Sequence, residues 1–334
     1  MKPLLRPALL LLWFFLPFAG ALPAGSVAVQ VAGLVDAPVA APSGFEGLWE
    51  TTYGRLRLQV DGDQVRGSYA SSAASKLEGT IRGSKLEFRY TEADSSGAGT
   101  FELGDEGQSL KGRWRAEGSR EWAPWTGERV VADPSVRWFV ILEARWESGL
   151  HEPEYTFGEM LRSYLTLAPE VRVRERRFHD EADFRRFAGE VAFLAEPTVV
   201  LVSTHGTPEG LSVGDSEIAP EVIAECLSLA SNVELLHLAG CDLMRGTAPE
   251  RIRAALPQAH RFPISGYTTT VDWAASALAD LTYLTFVFLR GRSPEEAVQK
   301  THLASPYTAS TAPADCPFVP LGLTILPAAG ARRQ

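Results

Sequence analysis

Two short apolar runs constrain this chain more than anything else in it. One reads Val199-Val200-Leu201-Val202-Ser203-Thr204-His205-Gly206, the other Val233-Glu234-Leu235-Leu236-His237-Leu238-Ala239-Gly240-Cys241. Short runs rich in branched aliphatic residues fit strands covered on both faces, as in a parallel sheet. The segment between them can form a crossover helix over Ala219–Leu229, entered after Ser216-Glu217. If the two strands are parallel neighbours, both C-terminal ends open on one sheet edge. Strands lie about 4.8 Å apart, so residues just past those ends can meet across a crevice. His205 and Cys241 stand there, next to Gly206 and Gly240, as a base and a nucleophile.

The same texture extends on both sides. Val136–Glu143, Val171–Phe178 and Thr198–Ser203 read as strands, as do Asn232–Leu238, Phe262–Ser265 and Leu321–Leu326. Helical spacing marks Tyr155–Leu165, Glu181–Phe193, Ala248–Leu256, Trp273–Leu289 and Pro294–Thr301. Alternation of this kind predicts an α/β domain over residues 133–330, a mostly parallel sheet flanked by helices.

Upstream the period changes to two. Arg55-Leu56-Arg57-Leu58-Gln59-Val60 alternates and turns at Asp61-Gly62. Lys76–Ile81 and Lys85–Tyr90 repeat the pattern around Arg82-Gly83-Ser84, and Thr100–Leu103 and Ser109–Arg115 repeat it around Gly104–Gly107. An apolar-x-Gly-x-aromatic echo recurs at Val65–Tyr69 and Leu110–Trp114, with Leu77-Glu78-Gly79 between. About eight short strands between Gly47 and Val131 predict a small antiparallel β-barrel over residues 44–132, an all-β unit in a multidomain chain. Its opening Gly47-Leu48-Trp49 and closing Trp122 and Trp125 resemble lipocalin-like or avidin-like barrels. Its aromatic residues read as core, with a ligand cavity as the alternative.

Residues 1–21 read as a signal peptide: Lys2 and Arg6, an apolar core from Leu9 to Phe18, then Ala19-Gly20-Ala21. Secretion or delivery to a periplasm follows, with an uncleaved N-terminal membrane anchor as the alternative. Residues 22–43, rich in Ala, Val and Pro, read as a linker. Ala274–Leu289 contains Asp280 and reads as a core helix, so no stable membrane span is expected after signal cleavage. The net charge of −9 argues against a broad nucleic-acid surface. No metal-ligand spacing, phosphate loop or dinucleotide fingerprint occurs, and no cofactor is expected. Three cysteines, Cys226, Cys241 and Cys316, leave at least one thiol unpaired within the chain.

Taken together, residues 135–327 resemble a caspase-like domain, the fold of clan CD cysteine peptidases. The resemblance rests on His205-Gly206 after one buried strand and on Ala239-Gly240-Cys241, with Gly246 later, after the next. It rests also on Ile264-Ser265-Gly266-Tyr267-Thr268-Thr269-Thr270-Val271-Asp272-Trp273, a long helix, and Leu289-Arg290-Gly291-Arg292-Ser293-Pro294-Glu295-Glu296-Ala297. That last block is similar to the CHAT-type branch.

The resemblance implies a cysteine endopeptidase acting on polypeptides, with Cys241 as nucleophile and His205 as proton shuttle. It implies an oxyanion hole from the main-chain N–H groups of Gly206 and Cys241. Two departures stand out. Ala239 holds the place where metacaspase-like members carry an acid that binds a basic side chain, and the Gln-Ala-Cys-Arg-Gly pentapeptide of caspases is absent. Asp215, Asp242 and Asp272 are the candidate acids of a substrate pocket. The competing expectation is an intact but inactive caspase-like scaffold whose barrel binds a ligand or protein partner.

Overall fold

The computed structural model describes residues 44–69, 75–104, 106–147, 149, 151–214 and 216–328. The signal peptide and linker expected over residues 1–43, and Asp215, lie outside them.

Eight antiparallel strands come first: β1 (Gly47–Thr51), β2 (Gly54–Asp61), β3 (Gln64–Tyr69), β4 (Lys76–Arg82), β5 (Lys85–Thr91), β6 (Ser96–Leu103), β7 (Ser109–Ala116) and β8 (Ala123–Arg129). Each pairs with the next, and β1 pairs with β8, so the sheet closes into an up-and-down barrel and has no open edge. The repeated glycines explain how it fills. Gly67 lies opposite Leu58, Gly79 opposite Phe88, and Gly112 opposite Phe101. A β-carbon at Gly67 would come within 2.7 Å of the Leu58 side chain, and one at Gly112 within 2.5 Å of the Phe101 ring. Each glycine therefore makes room for the large residue across from it. Trp125 stands at the centre, with its ring 5.1 to 5.7 Å from those of Tyr69, Phe101, Tyr53 and Phe88. The aromatic residues pack on one another as core.

The second part is a six-stranded sheet between two helix layers. Its strands are β9 (Arg137–Ala144), β10 (Val171–Phe178), β11 (Thr198–Ser203), β15 (Val233–Ala239), β16 (Ile264–Tyr267) and β17 (Leu323–Leu326), in the order β10-β9-β11-β15-β16-β17. All neighbours are parallel except β16 and β17. A small sheet of β12 (His205–Gly206), β13 (Leu211–Val213) and β14 (Ser216–Ile218) follows β11, an element the sequence reading did not contain. Its strands are too short to show a period.

Parity along the strands separates two cores. Val140, Leu142, Val200, Val202, Leu236 and Leu238 face α2 (Glu181–Glu190), α3 (Pro220–Leu227) and α4 (Ala248–Ala255). Phe139, Ile141, Val199, Leu201 and Leu235 face α1 (Phe157–Leu165), α5 (Trp273–Leu284) and α6 (Pro294–Ala304). The apolar runs of the central strands are unbroken because both faces are covered. Cys226 packs against the first core and Cys316 against the second, and all three cysteines are free. The sheet stands between Cys226 and Cys316. No helix among the described residues is long and apolar enough to cross a membrane.

The barrel docks through the outward face of β2. Arg57 is buried there and donates to the carbonyls of Ala192 and Leu194 at 2.6 and 2.7 Å; Arg55 donates to that of Phe193 at 2.6 Å. Gln59 meets the His260 ring at 3.0 Å. Residues 192–194 precede β11 and His260 precedes β16, so these contacts lie at the N-terminal edge of the sheet. The edge where β11 and β15 end is the opposite one.

Candidate active site

Ser203 ends β11 and Ala239 ends β15, and the two are direct partners in the parallel register. The chain then leaves the sheet twice, side by side. His205 is exposed on β12, while Cys241 is half-buried after Gly240. Both border one pocket with about 60 Å³ of free space, together with Ala239, Gly240, Val271 and Asp280. The residues expected to meet at this edge therefore share a site.

The two glycines allow the approach. A β-carbon on Gly240 would sit 2.5 Å from the Thr204 carbonyl oxygen and 2.8 Å from Leu243. One on Gly206 would strike the Cys241 carbonyl oxygen and come within 2.6 Å of Leu243. Only glycine lets the two backbones lie this close.

The local ladder also fixes which way the Gly206 N–H points. Thr207 and Gly210 exchange both backbone hydrogen bonds, at 3.0 and 3.3 Å. Pairs in an antiparallel ladder alternate, so the next pair, Gly206 with Leu211, is a non-hydrogen-bonded one. The Gly206 N–H points away from β13 and lies next to Gly240. It is a donor without a partner in the ladder, beside Cys241.

Cys241 is positioned from the other side. Its Sγ accepts a hydrogen bond from the Val271 N–H at 3.4 Å. The following residue, Asp242, has φ 59°, a left-handed conformation unusual outside glycine. Its N–H donates to the Thr269 carbonyl at 3.0 Å, and its carboxylate accepts from Thr270 and pairs with Arg245. These contacts hold the sharp turn and tie the cysteine loop to the segment after β16.

His205 is held by aromatic packing. The Trp146 ring meets it edge-on with centroids 4.7 Å apart. Trp146 also contacts Trp273 at 4.5 Å, and Phe157 stacks on Trp273 at 4.6 Å. This wall depends on Glu143, the fully buried penultimate residue of β9. Its carboxylate accepts from Trp146 Nε1, Thr156 Oγ1 and the N–H groups of Phe157 and Gly158, at 2.7 to 3.1 Å. Burial, with Glu143 nearby, raises the carboxyl of Glu175 above its ordinary range.

A buried polar network lies behind the pocket. His237 joins Ser265 through Nδ1 at 2.8 Å and Asp280 through Nε2 at 2.9 Å, and the Tyr267 hydroxyl donates to the same Asp280 oxygen. Burial, then the neighbouring carboxylate, pushes the Tyr267 phenol well above its usual value, so it is a donor at all ordinary pH.

Of the acids expected in a substrate pocket, Asp215 lies outside the described residues. Asp272 caps α5, accepting from the N–H groups of Ala274 and Ala275 at 3.0 Å. Asp242 is engaged with Arg245. Neither borders the pocket, whereas Asp280 does. The sequence reading placed Asp280 only as a polar residue in a core helix. A lone acid inside an apolar helix was the available signal, because such a group is rarely buried without a role.

No family model matches this chain, and no curated protein matches its sequence. Among solved structures it is similar to caspase-1 from Spodoptera frugiperda, with TM-score 0.43 and 12% identity, covering 59% of this chain and 88% of that one. A second similar structure is described as pro-sf-caspase-1, with TM-score 0.38 and 16% identity, covering 59% of this chain and 93% of that one.

Proposed function

We propose that this chain is an exported cysteine endopeptidase of the caspase-like, CHAT-type kind, with His205 and Cys241 as its catalytic pair. One observation carries the reading: an imidazole and a thiol border the same pocket at the C-terminal ends of two neighbouring parallel strands. The basic and apolar N-terminus supports export.

The chemistry follows from the geometry. The Cys241 thiolate attacks the carbonyl carbon of a peptide bond, forming a C–S bond and an oxyanion. The N–H groups of Gly206 and Cys241 receive that oxyanion; the first is already free of its ladder. His205 protonates the departing amine as the C–N bond breaks, leaving a thioester. His205 then takes a proton from water, whose oxygen attacks the thioester, and the carboxylic product and the free thiol are released. The Val271 N–H keeps the sulfur aimed at the pocket, and Trp146 keeps the imidazole beside it.

A thiol-reactive, peptide-like probe tests this reading on the mature chain and on His205→Ala and Cys241→Ala. Modification is expected on Cys241, slower by about 100-fold or more in His205→Ala. Slow and equal modification of every accessible cysteine, indifferent to His205, would instead fit an inactive scaffold and turn attention to the barrel.

A further inference from the structure

Among the described residues, β10 forms one edge of the six-stranded sheet, with β9 as its single neighbour. The Arg137 N–H donates to the Glu170 carbonyl and the Arg145 N–H to that of Phe178, one at each end of this parallel ladder. The even-numbered residues of β10 therefore bond to β9, and the odd-numbered ones turn their N–H and C=O groups outward. The N–H groups of Val173, Glu175 and Arg177 have no described backbone partner. Successive free donors along an extended edge are a template for another strand.

The same strand carries Arg172, Arg174 and Arg176 on its face toward α2, all three exposed. They recur at every second residue, about 6.6 Å apart. Trp138 lies under Arg172 and Arg174, 5.9 and 5.6 Å from the guanidinium carbons, and Phe187 lies 6.0 Å from that of Arg176. Trp138 is fixed in turn by its Nε1, which donates to Glu196 at 2.9 Å. These rings hold the guanidiniums in a row without neutralising them. Arg177 and Arg186 nearby are paired with Glu154 and Asp183, whereas none of the three forms an ion pair with a described carboxylate. Asp133, close to Arg172, is held by Ser135. In a chain of net charge −9, this row has a single, opposite sign.

Charges on a sheet edge oppose its pairing with itself. An antiparallel pair of two β10 copies would set arginine against arginine, so this edge does not fit a second copy of itself. It fits a chain of the opposite sign. An extended polypeptide meets both halves of the surface at once: its carbonyls reach the outward N–H groups, and its alternate side chains reach the guanidiniums. We propose that β10 is a docking edge for an extended acidic segment of a protein partner, which adds as a further strand with Asp or Glu at every second residue. This goes beyond the peptidase reading and does not rest on it, since the edge has its own residues and needs no turnover.

Fluorescence anisotropy tests this on the full chain carrying Cys241→Ala, which excludes cleavage of the probe. The probes are labelled peptides of alternating glutamate and threonine, of alternating lysine and threonine, and of the same glutamates and threonines in two blocks. The alternating acidic peptide is expected to bind at least about 30-fold more tightly than the lysine one. With Arg172→Glu, Arg174→Glu and Arg176→Glu combined, the preference should reverse in favour of the lysine peptide. A third comparison leaves the protein unchanged. N-methylation of one alternate set of peptide residues should weaken binding by about 10-fold or more, and of the other set should be tolerated, because only one set points its N–H groups at β10. Acidic binding indifferent to residue order and to N-methylation, or tighter binding of dextran sulfate, overturns strand addition and leaves a general polyanion surface. No saturable binding of the acidic peptide overturns the docking edge altogether, and the arginines then serve only to guard it.

Discussion

Asp242 is the residue where the backbone around Cys241 is most constrained. Its left-handed conformation suits aspartate, asparagine or glycine and opposes β-branched residues. Asp242→Gly is expected to keep the Cys241 reactivity, and Asp242→Val to lower stability by about 1–3 kcal/mol and slow probe labelling. Denaturant unfolding beside labelling rates checks both. Glu143 gives a second prediction. Glutamine there presents an NH₂ group or a weaker acceptor to four donors, and Glu143→Gln should lose about 2–3 kcal/mol. Because Trp146 is one of those donors, its fluorescence should change along with the loss of stability. Cys226 gives a third. Burial pushes its thiol up to about 12, so it stays protonated at neutral pH and should resist alkylation under conditions that modify Cys241. That His205 and Cys241 border one pocket was legible in the sequence because strand ends have a pattern. The helix cap made by Asp272 was not, because a helix cap and a pocket acid look alike without coordinates.

At the scale of elements, period and texture were enough to separate the barrel strands from the strands of the α/β sheet. Thr198–Ser203 and Val171–Phe178 have the expected bounds because their neighbours are turn residues. The helix read over Trp273–Leu289 instead ends at Leu284 and continues as a π-helical turn, Thr285–Leu289. No sequence period distinguishes those two hydrogen-bond patterns over one turn. The wall of Trp146 and Phe157 was invisible for another reason: it is made by a loop far upstream of His205, and only the Glu143 clamp places it.

The outward face of β2 shows the same limit. Its alternating Arg55, Arg57 and Gln59 fit a solvated face, yet Arg57 is buried against main-chain carbonyls, which lowers its guanidinium to about 10. Arg57→Ala leaves those carbonyls without a donor and should cost about 2–3 kcal/mol, measured by thermal or denaturant unfolding. His260, facing Gln59, adds a pH dependence of known sign. Burial lowers its folded-state value below the ordinary 6.5. Its contribution is therefore present above that value and is lost as pH falls through the lowered one. The thermal midpoint should fall on acidification below about 6.5, and less so in His260→Gln.

At the scale of the molecule, the barrel and the candidate active site occupy opposite edges of the central sheet. The barrel's described contacts, through Arg55, Arg57, Gln59 and Lys76, lie away from the cleft. Loosening the dock with Arg57→Ala should therefore leave Cys241 labelling within a few-fold of wild type at temperatures where the chain stays folded. The most direct measurement is mass-spectrometric mapping of the bonds cut when the mature chain is mixed with a complex peptide library, beside Cys241→Ala and His205→Ala. New termini produced by the wild type and absent with both variants are the expected result. The same termini from Cys241→Ala, or none from the wild type, would contradict the assignment of His205 and Cys241 as a hydrolytic pair.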